Sequence, residues 1–447
     1  MAAHRPVSRL AERTSALRHS RRLPVTASID LRRIREQFPA LSVTDDGEPR
    51  VYFDNPAGTQ VSAQVAERMS DCLLHANANI GGYFRTSELA TQIAVDARDA
   101  IADFVNAPST DEIVFGQNMT SITFHVSRSL GRHFRAGDEI IVTRMDHDAN
   151  VEPWILLARD HDLQIRWLPF NTETYEFELD KLDELLSNRT RLVCVGGASN
   201  LTGTINDVKT ICAKARDVGA WTYVDAVQSA PHVATDVQSI GCDFLVCSAY
   251  KVFGPHQGVL WGRREVLEQL EPYRVRPAPA MLPWSFEPGT QSHEGMAGTA
   301  AAVDYFAWVG RLANDTAVAS VEREDRRQLI CSAFDYLFAH EKALTKRLID
   351  GLQRLPGVTV HGVTAPEALD RRVSTVSFTH RKKAPDAIAD ALAKRNIFVW
   401  SGHNYALEVV QALDLLESGG TVRIGAVHYN TPEEIDRVLN ALEDLLG

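Results

Sequence analysis

The sequence is poor in cysteine and has no long apolar run. Its six cysteines are spread over 447 residues, with no CxxC pair and no histidine cluster nearby, which disfavours both a disulfide framework and a zinc site. No apolar stretch approaches the roughly 18 residues that a membrane helix needs. Excess positive charge is also lacking, since the formal net charge is -11, and this gives no support to a nucleic-acid partner. We therefore expect a cytoplasmic protein without a metal site.

The composition is otherwise that of a globular protein. Hydrophobic residues make up 45% and charged residues 23%, and the length suffices for one large domain and one smaller domain. Residues 1–28 differ because six arginines face a single acid, Glu12. Three readings stay open for this segment: a basic, disordered extension, a start codon assigned too early, or a transit peptide that would make the protein mitochondrial.

Between about residues 85 and 265, amphipathic stretches alternate with short apolar strands. This alternation predicts an α/β fold with a mostly parallel, seven-stranded sheet covered by helices on both faces. The predicted strands are Glu112–Phe115, Glu139–Thr143, Gln164–Leu168, Leu192–Val195, Thr222–Val224, Phe244–Cys247 and Val259–Trp261.

The pattern changes after Val303. A long helical stretch over about 318–354 precedes strands at Val358–Val363, Val373–Thr379 and Thr421–Ile424. We therefore predict a large domain over residues 29–310, whose first helix packs on a small α+β domain over residues 311–447.

Two residues at predicted strand ends suggest chemistry. Lys251 follows the strand that ends at Cys247, and an amine in the crevice at this edge of an α/β sheet can form an imine with an aldehyde cofactor. Asp225 ends another strand, where a carboxylate would keep a pyridine nitrogen protonated. Each also has an ordinary reading, as a solvated lysine and as a helix N-cap.

Three further features fit the same cofactor. The turn 116–121 precedes a helix and offers free backbone N–H groups to a phosphate. His147 follows a strand and could stack on an aromatic ring, and Arg423 could hold a substrate carboxylate. A plain turn, a surface histidine and a structural ion pair are the alternatives. Together the five features point to pyridoxal 5'-phosphate (PLP).

Longer motifs resemble the class V aminotransferase superfamily, in its cysteine-desulfurase-like and isopenicillin N epimerase-like branches. The resemblance runs from about residue 30 to the C-terminus and implies a PLP-dependent transferase of fold type I. The motifs are FDNPAGTQ at 53–60, DHDANVEPW at 146–154, ASNLTGTINDV at 198–208, YVDAVQSAPH at 223–232, SAYKVFGPHQG at 248–258, FEPGTQSHE at 286–294 and VRIGAVHYNTPEEID at 422–436.

The resemblance implies a role for each site residue. Lys251 carries PLP as a Schiff base and moves protons, Asp225 pairs with the pyridine nitrogen, and His147 stacks on the ring. It also implies a homodimer in which Thr290 reaches the PLP phosphate of the other subunit. The remaining implied contacts are Gln228 with the 3'-oxygen; Met119, Thr120 and Ser248 with the phosphate; and Asn200 and Arg423 with the substrate carboxylate.

Two positions depart from the family pattern. Tyr250 stands where many relatives have histidine, and its hydroxyl could still donate to the phosphate. More seriously, desulfurases carry a cysteine on a small-domain loop that accepts sulfur as a persulfide. Here that stretch reads WSGHNYAL over 400–407, Tyr405 stands near the cysteine position, and no cysteine follows Cys331.

These departures shape the functional hypotheses. The leading one is cleavage of a C–S bond by β-elimination of a cysteine-derived amino acid, a reaction that needs no persulfide cysteine. The runner-up is an amino-acid epimerase or aminotransferase, in which Tyr405 acts as a second catalytic acid opposite Lys251. The alternative of another class is a non-catalytic PLP-binding protein.

Overall fold

The computed structural model of the protein describes residues 29–313 and 323–447. The predicted basic extension over residues 1–28 lies outside the described residues. No helix in the described ranges is both long enough and apolar enough to span a bilayer. The first elements are α1 (Leu31–Arg35), β1 (Thr44–Asp45), β2 (Glu48–Pro49), β3 (Val51–Tyr52), α2 (Ala63–His75) and α3 (Arg85–Val105).

The central part of the chain forms the predicted large sheet and its helices. Every predicted strand is present, with ends that shift by up to two residues. The elements are β4 (Ile113–Gly116), α4 (Met119–Gly131), β5 (Glu139–Thr143), α5 (Glu152–Asp160), β6 (Gln164–Leu168), α6 (Leu179–Leu185), β7 (Thr190–Gly196), α7 (Val208–Asp217), β8 (Trp221–Asp225), α8 (Val237–Ile240), β9 (Phe244–Ser248), β10 (Gly258–Gly262), α9 (Arg264–Leu267) and α10 (His293–Ala313).

The seven strands lie in the order β4-β10-β9-β8-β7-β5-β6. All neighbouring pairs are parallel except those of β10, which runs antiparallel to both β9 and β4. The predicted α/β class and mostly parallel sheet are therefore confirmed. In such a sheet the carboxyl ends of the parallel strands meet at one edge, where ligands bind.

Both faces of the large sheet are buried, which explains why its strands appear as continuous apolar runs. Successive residues of β5 point to opposite faces. Ile140 and Val142 pack with residues of α4 and α5 such as Leu130 and Trp154, while Ile141 packs with residues of α3 and α10. The two-sided cover holds the strand ends, and the residues that follow them, in fixed positions.

The remaining elements build a second, antiparallel sheet of four strands in the order β11-β12-β15-β14. One face of this sheet is covered by helices that bury Leu348, Ile388 and Val438. The elements are α11 (Arg323–Leu352), β11 (Val358–His361), β12 (Thr375–His380), α12 (Pro385–Ala393), β13 (Ile397–Phe398), β14 (Trp400–Gly402), α13 (Leu407–Ala412), β15 (Thr421–Gly425) and α14 (Pro432–Leu446).

The N-terminal segment joins this second unit. Strand β3 pairs in parallel with β13, and Arg35, at the end of α1, makes an ion pair with Glu434 of α14 at 2.9 Å. The predicted packing of the first helix on the small domain stays a prediction. So does the domain division at residue 310, which lies inside α10.

Candidate active site

A cavity of about 1100 Å³ opens where the carboxyl ends of the parallel strands face the small sheet. All of the predicted site residues except Thr290 line it. They are Met119, Thr120, His147, Asn200, Asp225, Gln228, Ser248, Tyr250, Lys251, Tyr405 and Arg423. The chain brings them together because five of the parallel strands end at this edge and Arg423 lies on the facing strand β15.

Lys251 ends a short 3-10 turn that follows β9. Its Nζ donates to the carbonyl oxygen of Pro56 in the N-terminal segment. Burial, and next the positive charge of Arg423, lower the pKa of Lys251 to about 7, although Asp225 and Asp54 oppose that shift. A large fraction of the amine is therefore neutral near pH 7, which is the form that attacks an aldehyde.

Asp225 lies at the floor of the cavity, at the end of β8, with 6% of its surface exposed. Its Oδ1 accepts from the Val227 N–H at 2.8 Å. Burial raises the pKa of Asp225 to about 6. The carboxylate would gain from a cationic partner in the cavity, because it is costly to keep a buried charge unpaired.

Gln228 lies beside this floor, one turn beyond Asp225. Its Nε2 donates to Thr375 Oγ1 of β12 at 2.8 Å. A side-chain amide has two N–H donors, so this bond leaves one donor for a ligand oxygen in the cavity.

The turn before α4 has the form expected of an anion site. The side chain of Asn118 caps the helix by accepting from the Ser121 N–H at 2.9 Å. The Met119 N–H donates to Ser248 Oγ at 2.9 Å, which brings that hydroxyl to the start of α4. The helix dipole, the N–H of Thr120 and the hydroxyls of Thr120 and Ser248 together favour a phosphate here.

Tyr250 and His256 form a stacked pair at the side of the cavity. Their ring centroids lie 5.0 Å apart at an interplanar angle of 17°. The Lys251 Nζ lies 5.0 Å from the Tyr250 ring centroid, so the tyrosine contacts the amine through its ring.

His147 is neutral and held in one orientation. Its Nδ1 accepts from the Ala149 N–H at 3.0 Å, which places the ring proton on Nε2. Burial, followed by the charges of Lys251 and Arg423, lowers the pKa of His147 to about 3. The Tyr405 ring stacks on it, with centroids 5.3 Å apart and an angle of 16°.

Arg423 on β15 and Asn200 in the segment after β7 form one wall of the cavity. Arg423 is 4% exposed, and its Nη1 donates to the Asn200 carbonyl oxygen at 2.9 Å. Burial lowers the pKa of Arg423 to about 10, while Asp54 and Tyr250 oppose the shift. Arg423 Nε and Asn200 Oδ1 are buried without a hydrogen-bond partner, and such polar atoms need one from a ligand.

Thr290 lies apart from these residues. It is exposed in the segment before α10 and does not line the cavity. The family resemblance implies that Thr290 contacts the cofactor of a partner subunit, and this role stays a prediction.

Some cavity residues were not singled out from the sequence, although they fall inside the quoted motifs. Asp146 accepts from the Gly196 N–H at 2.8 Å and from Asn150 Nδ2 at 2.7 Å, and burial, followed by the charge of Asp225, raises its pKa to about 7. The other such residues are His256 and His403. For Asp146, the sequence feature that points to the site is its position next to His147.

Comparison with known proteins identifies the family. The family model for aminotransferase class-V matches residues 51–329 and 331–438. A cysteine desulfurase from Pectobacterium carotovorum is 32% identical, over 93% of this chain and 98% of its own. An aminotransferase-like protein from Gibberella zeae is 32% identical, over 94% and 100%. A cysteine desulfurase structure from Thermococcus onnurineus superposes with a TM-score of 0.81 at 29% identity, over 94% and 99%.

A parallel-stranded α/β fold with a lysine, an aspartate and an arginine around one cavity thus belongs to a PLP-dependent enzyme. More particularly, this chain belongs to the class V aminotransferase family, and the relatives compared above include cysteine desulfurases. The predicted family, fold, enzyme class and cofactor are confirmed, which removes the alternative of a non-catalytic PLP-binding protein.

The residues present fit the cofactor. The floor carboxylate of Asp225 suits a protonated ring nitrogen, and the lowered pKa of Lys251 favours the neutral amine that attacks an aldehyde. The start of α4 suits a phosphate. All six cysteines fall within the described residues, and none of them lines the cavity.

Proposed function

We propose that this enzyme cleaves the C–S bond of a cysteine-derived amino acid by β-elimination. The observation that carries the proposal is the cavity wall at 400–405. The motifs around it resemble those of desulfurases, but the wall itself consists of residues such as tryptophan, histidine and tyrosine and has no thiol. Without a thiol the wall cannot accept sulfur as a persulfide, so the sulfur fragment would leave directly.

The proposed residue roles follow the site geometry. Lys251 holds PLP as a Schiff base, Asp225 pairs with the ring nitrogen, His147 stacks on the ring and Gln228 donates to the 3'-oxygen. Bound in this way, PLP withdraws electrons from the substrate Cα and makes its proton acidic. The phosphate is bound by Met119, Thr120, Ser248 and Tyr250.

The substrate is oriented by the opposite wall. Arg423 supplies a guanidinium with an unpartnered Nε. Asn200 Nδ2 donates one N–H to the Asn404 carbonyl oxygen and has a second N–H for the carboxylate, whereas the unpartnered Asn200 Oδ1 accepts and suits the substrate amine. A bidentate pair between arginine and the α-carboxylate fixes the substrate in two directions. The Cα–H bond is thereby presented to the Lys251 amine, which would be free to accept the proton once the substrate amine has replaced it on the cofactor.

The overall reaction balances without an oxidant. The Cα proton goes to Lys251, the Cβ–S bond breaks, and the sulfur leaves as a thiolate that takes up a proton. Water then releases the three-carbon remainder. One S-substituted cysteine and one water thus give one thiol, one pyruvate and one ammonium ion.

A second candidate, epimerisation or transamination of a larger amino acid, is favoured by Tyr405. Its side chain lines the cavity and is 65% exposed. A hydroxyl there could return a proton to Cα from the face opposite Lys251.

Product analysis separates the two candidates. The enzyme is incubated in D₂O with L-cysteine, cystine and S-alkyl cysteines, and with amino acids that have no leaving group. β-Elimination is supported by pyruvate in equal amount to the sulfur product, which is sulfide from L-cysteine, a hydropersulfide from cystine and a thiol from S-alkyl cysteines. Deuterium at Cα without pyruvate contradicts it and supports the second candidate. The Arg423→Lys variant should raise KM about 10- to 100-fold, from the usual strength of charge-assisted hydrogen bonds.

We also propose a cytoplasmic homodimer in which Thr290 reaches the phosphate of the partner's cofactor. The exposure of Thr290 away from its own cavity supports this arrangement. The Thr290→Ala variant tests this arrangement. Sedimentation should show an intact dimer, and the variant should release PLP faster than the wild type. A monomeric wild-type enzyme with full activity would contradict the arrangement.

A further inference from the structure

Tyr405 has an unusual backbone for a large residue. Both Asn404 and Tyr405 lie in the left-handed region, with φ of 51° and 56°. Asparagine adopts this conformation readily, but a bulky side chain there is uncommon and costs free energy. Strain of this kind persists only where the surroundings impose it, and it is concentrated at functional sites.

Hydrogen bonds hold the strained turn to the large sheet. Asn200 Nδ2 donates to the Asn404 carbonyl oxygen at 2.7 Å, and the Asp148 N–H donates to the Tyr405 carbonyl oxygen at 2.7 Å. Within the turn, the Tyr405 N–H donates to His403 Nδ1 at 3.0 Å. The turn is therefore tied to the segments that follow β5 and β7, and it does not behave as a free loop.

This attachment sets the Tyr405 ring against His147. The two rings are nearly parallel, at 16°, with centroids 5.3 Å apart. Asp225 is 6% exposed at the cavity floor, whereas Tyr405 is 65% exposed at the mouth. A cofactor whose ring nitrogen reaches Asp225 must lie on the floor side, so Tyr405 covers the outer face of the imidazole and leaves the inner face free.

We propose that Tyr405 is a positioning residue: its ring supports His147 from outside and fixes the plane on which the cofactor ring stacks. The ring carries this role and the hydroxyl does not. Three flat groups, Tyr405, His147 and the cofactor, then form one stack whose outer member is held by the small domain. The inference rests on the proposed PLP site but not on the proposed reaction.

Two substitutions separate ring from hydroxyl. Tyr405→Phe keeps the ring. Tyr405→Asn removes it and suits the left-handed backbone, so the turn should still fold. The matched control is Tyr175→Asn, because Tyr175 also has a left-handed backbone, with φ of 57°, and contacts a histidine, His361, away from the cavity.

The readouts are the visible circular dichroism of bound PLP and its dissociation rate. Tyr405→Asn should weaken the dichroism and speed PLP release about twofold to tenfold, the range of a usual aromatic pair. Tyr405→Phe and Tyr175→Asn should match the wild type in both. Tyr405→Phe should also leave the pH profile of kcat/KM unchanged.

Two results would overturn the inference. One is a Tyr405→Asn enzyme with wild-type dichroism and release rate. The other is a Tyr405→Phe enzyme that keeps the dichroism but loses activity, which would assign the hydroxyl to acid catalysis. The dichroism and the release rate do not depend on the products formed, so a failure of the β-elimination proposal would be seen separately in the pyruvate assay. The activity of Tyr405→Phe is measured on whichever reaction that assay finds.

Discussion

The protein contains two buried groups of ionisable side chains, and they are built in opposite ways. In the cavity, the charges of Arg423 and Asp225 both act on the pKa of Lys251, yet no salt bridge joins any two of these three residues in the described part of the chain. Behind the cavity, Glu341 of α11 accepts from His232 at 2.7 Å and lies 3.6 Å from His428. The first group keeps its charges for ligands, whereas the second uses them for structure.

The pKa values show the difference. Burial raises the pKa of Asp225 to about 6. Burial opposes the charge of Glu341 as well, but the attraction of His232, its hydrogen bond and the nearby His428 outweigh it and lower the pKa of Glu341 to about 2. A buried carboxylate is thus either satisfied by the protein or left for a ligand to satisfy.

Removing the cavity amine should have the largest effect. Lys251→Ala should abolish the visible absorbance of the Schiff base and lower kcat about 100- to 10,000-fold, the usual contribution of a positioned base. Its control is Lys394→Ala, an exposed lysine paired with Asp390. Retained visible absorbance in Lys251→Ala would contradict the cofactor site itself.

Changes to Glu341 and its two histidines should affect the stability of the protein rather than its reaction. Glu341→Ala leaves two buried histidines without their carboxylate and should cost about 3–5 kcal/mol of the free energy of unfolding. The midpoint of urea unfolding measures the loss, and the folded fraction should keep its visible absorbance. A change below about 1 kcal/mol would remove the distinction between the groups.

In the cofactor-free enzyme, replacing the unpaired carboxylate of Asp225 should stabilise the folded state, whereas replacing Glu341 should destabilise it. Because folding raises the pKa of Asp225 above its unfolded value of about 3.9, the folded state is penalised as pH rises through the window up to about 6, and fully above it. At pH 8, Asp225→Asn should therefore stabilise the cofactor-free enzyme by about 1–3 kcal/mol. The unfolding midpoint checks this, and destabilisation would contradict it.

The smallest effect is a pH dependence of cofactor loading. Only the neutral amine of Lys251 attacks PLP, and its pKa is lowered to about 7. The rate of visible absorbance recovery after PLP addition should rise roughly tenfold from pH 6 to pH 8 and then level off. A rate that keeps rising to pH 10 would indicate an ordinary, solvated lysine.

The sequence predicts the large sheet well because its strands are buried on both faces and end in turns. It does not predict that β10 runs antiparallel, since an apolar run has no direction. The short strands β13 and β14 were also missed. They pair with β3 and β15, which are not their neighbours in the sequence. A local sequence pattern does not indicate such pairing.

The candidate site also has a part that the sequence indicates and a part that it does not. Lys251, Asp225 and His147 could be singled out because each lies at or after the end of a strand within a recognisable motif. The stack of Tyr405 on His147 was not, because it depends on a turn of the small domain held by Asn200 and Asp148. Asp146 was overlooked because an acid next to a histidine looks like an ordinary surface pair.

The pairing of β3 with β13 has a consequence for biosynthesis. Val51 leaves the ribosome long before Asn396, the residue whose carbonyl oxygen accepts from its N–H at 2.8 Å. At usual elongation rates the interval is on the order of tens of seconds. During that time the segment holding Pro56, the acceptor for Lys251, has no strand partner. The nascent enzyme therefore cannot complete its lysine site until the end of its own translation, and an early truncation should yield chains that are degraded rather than partly active.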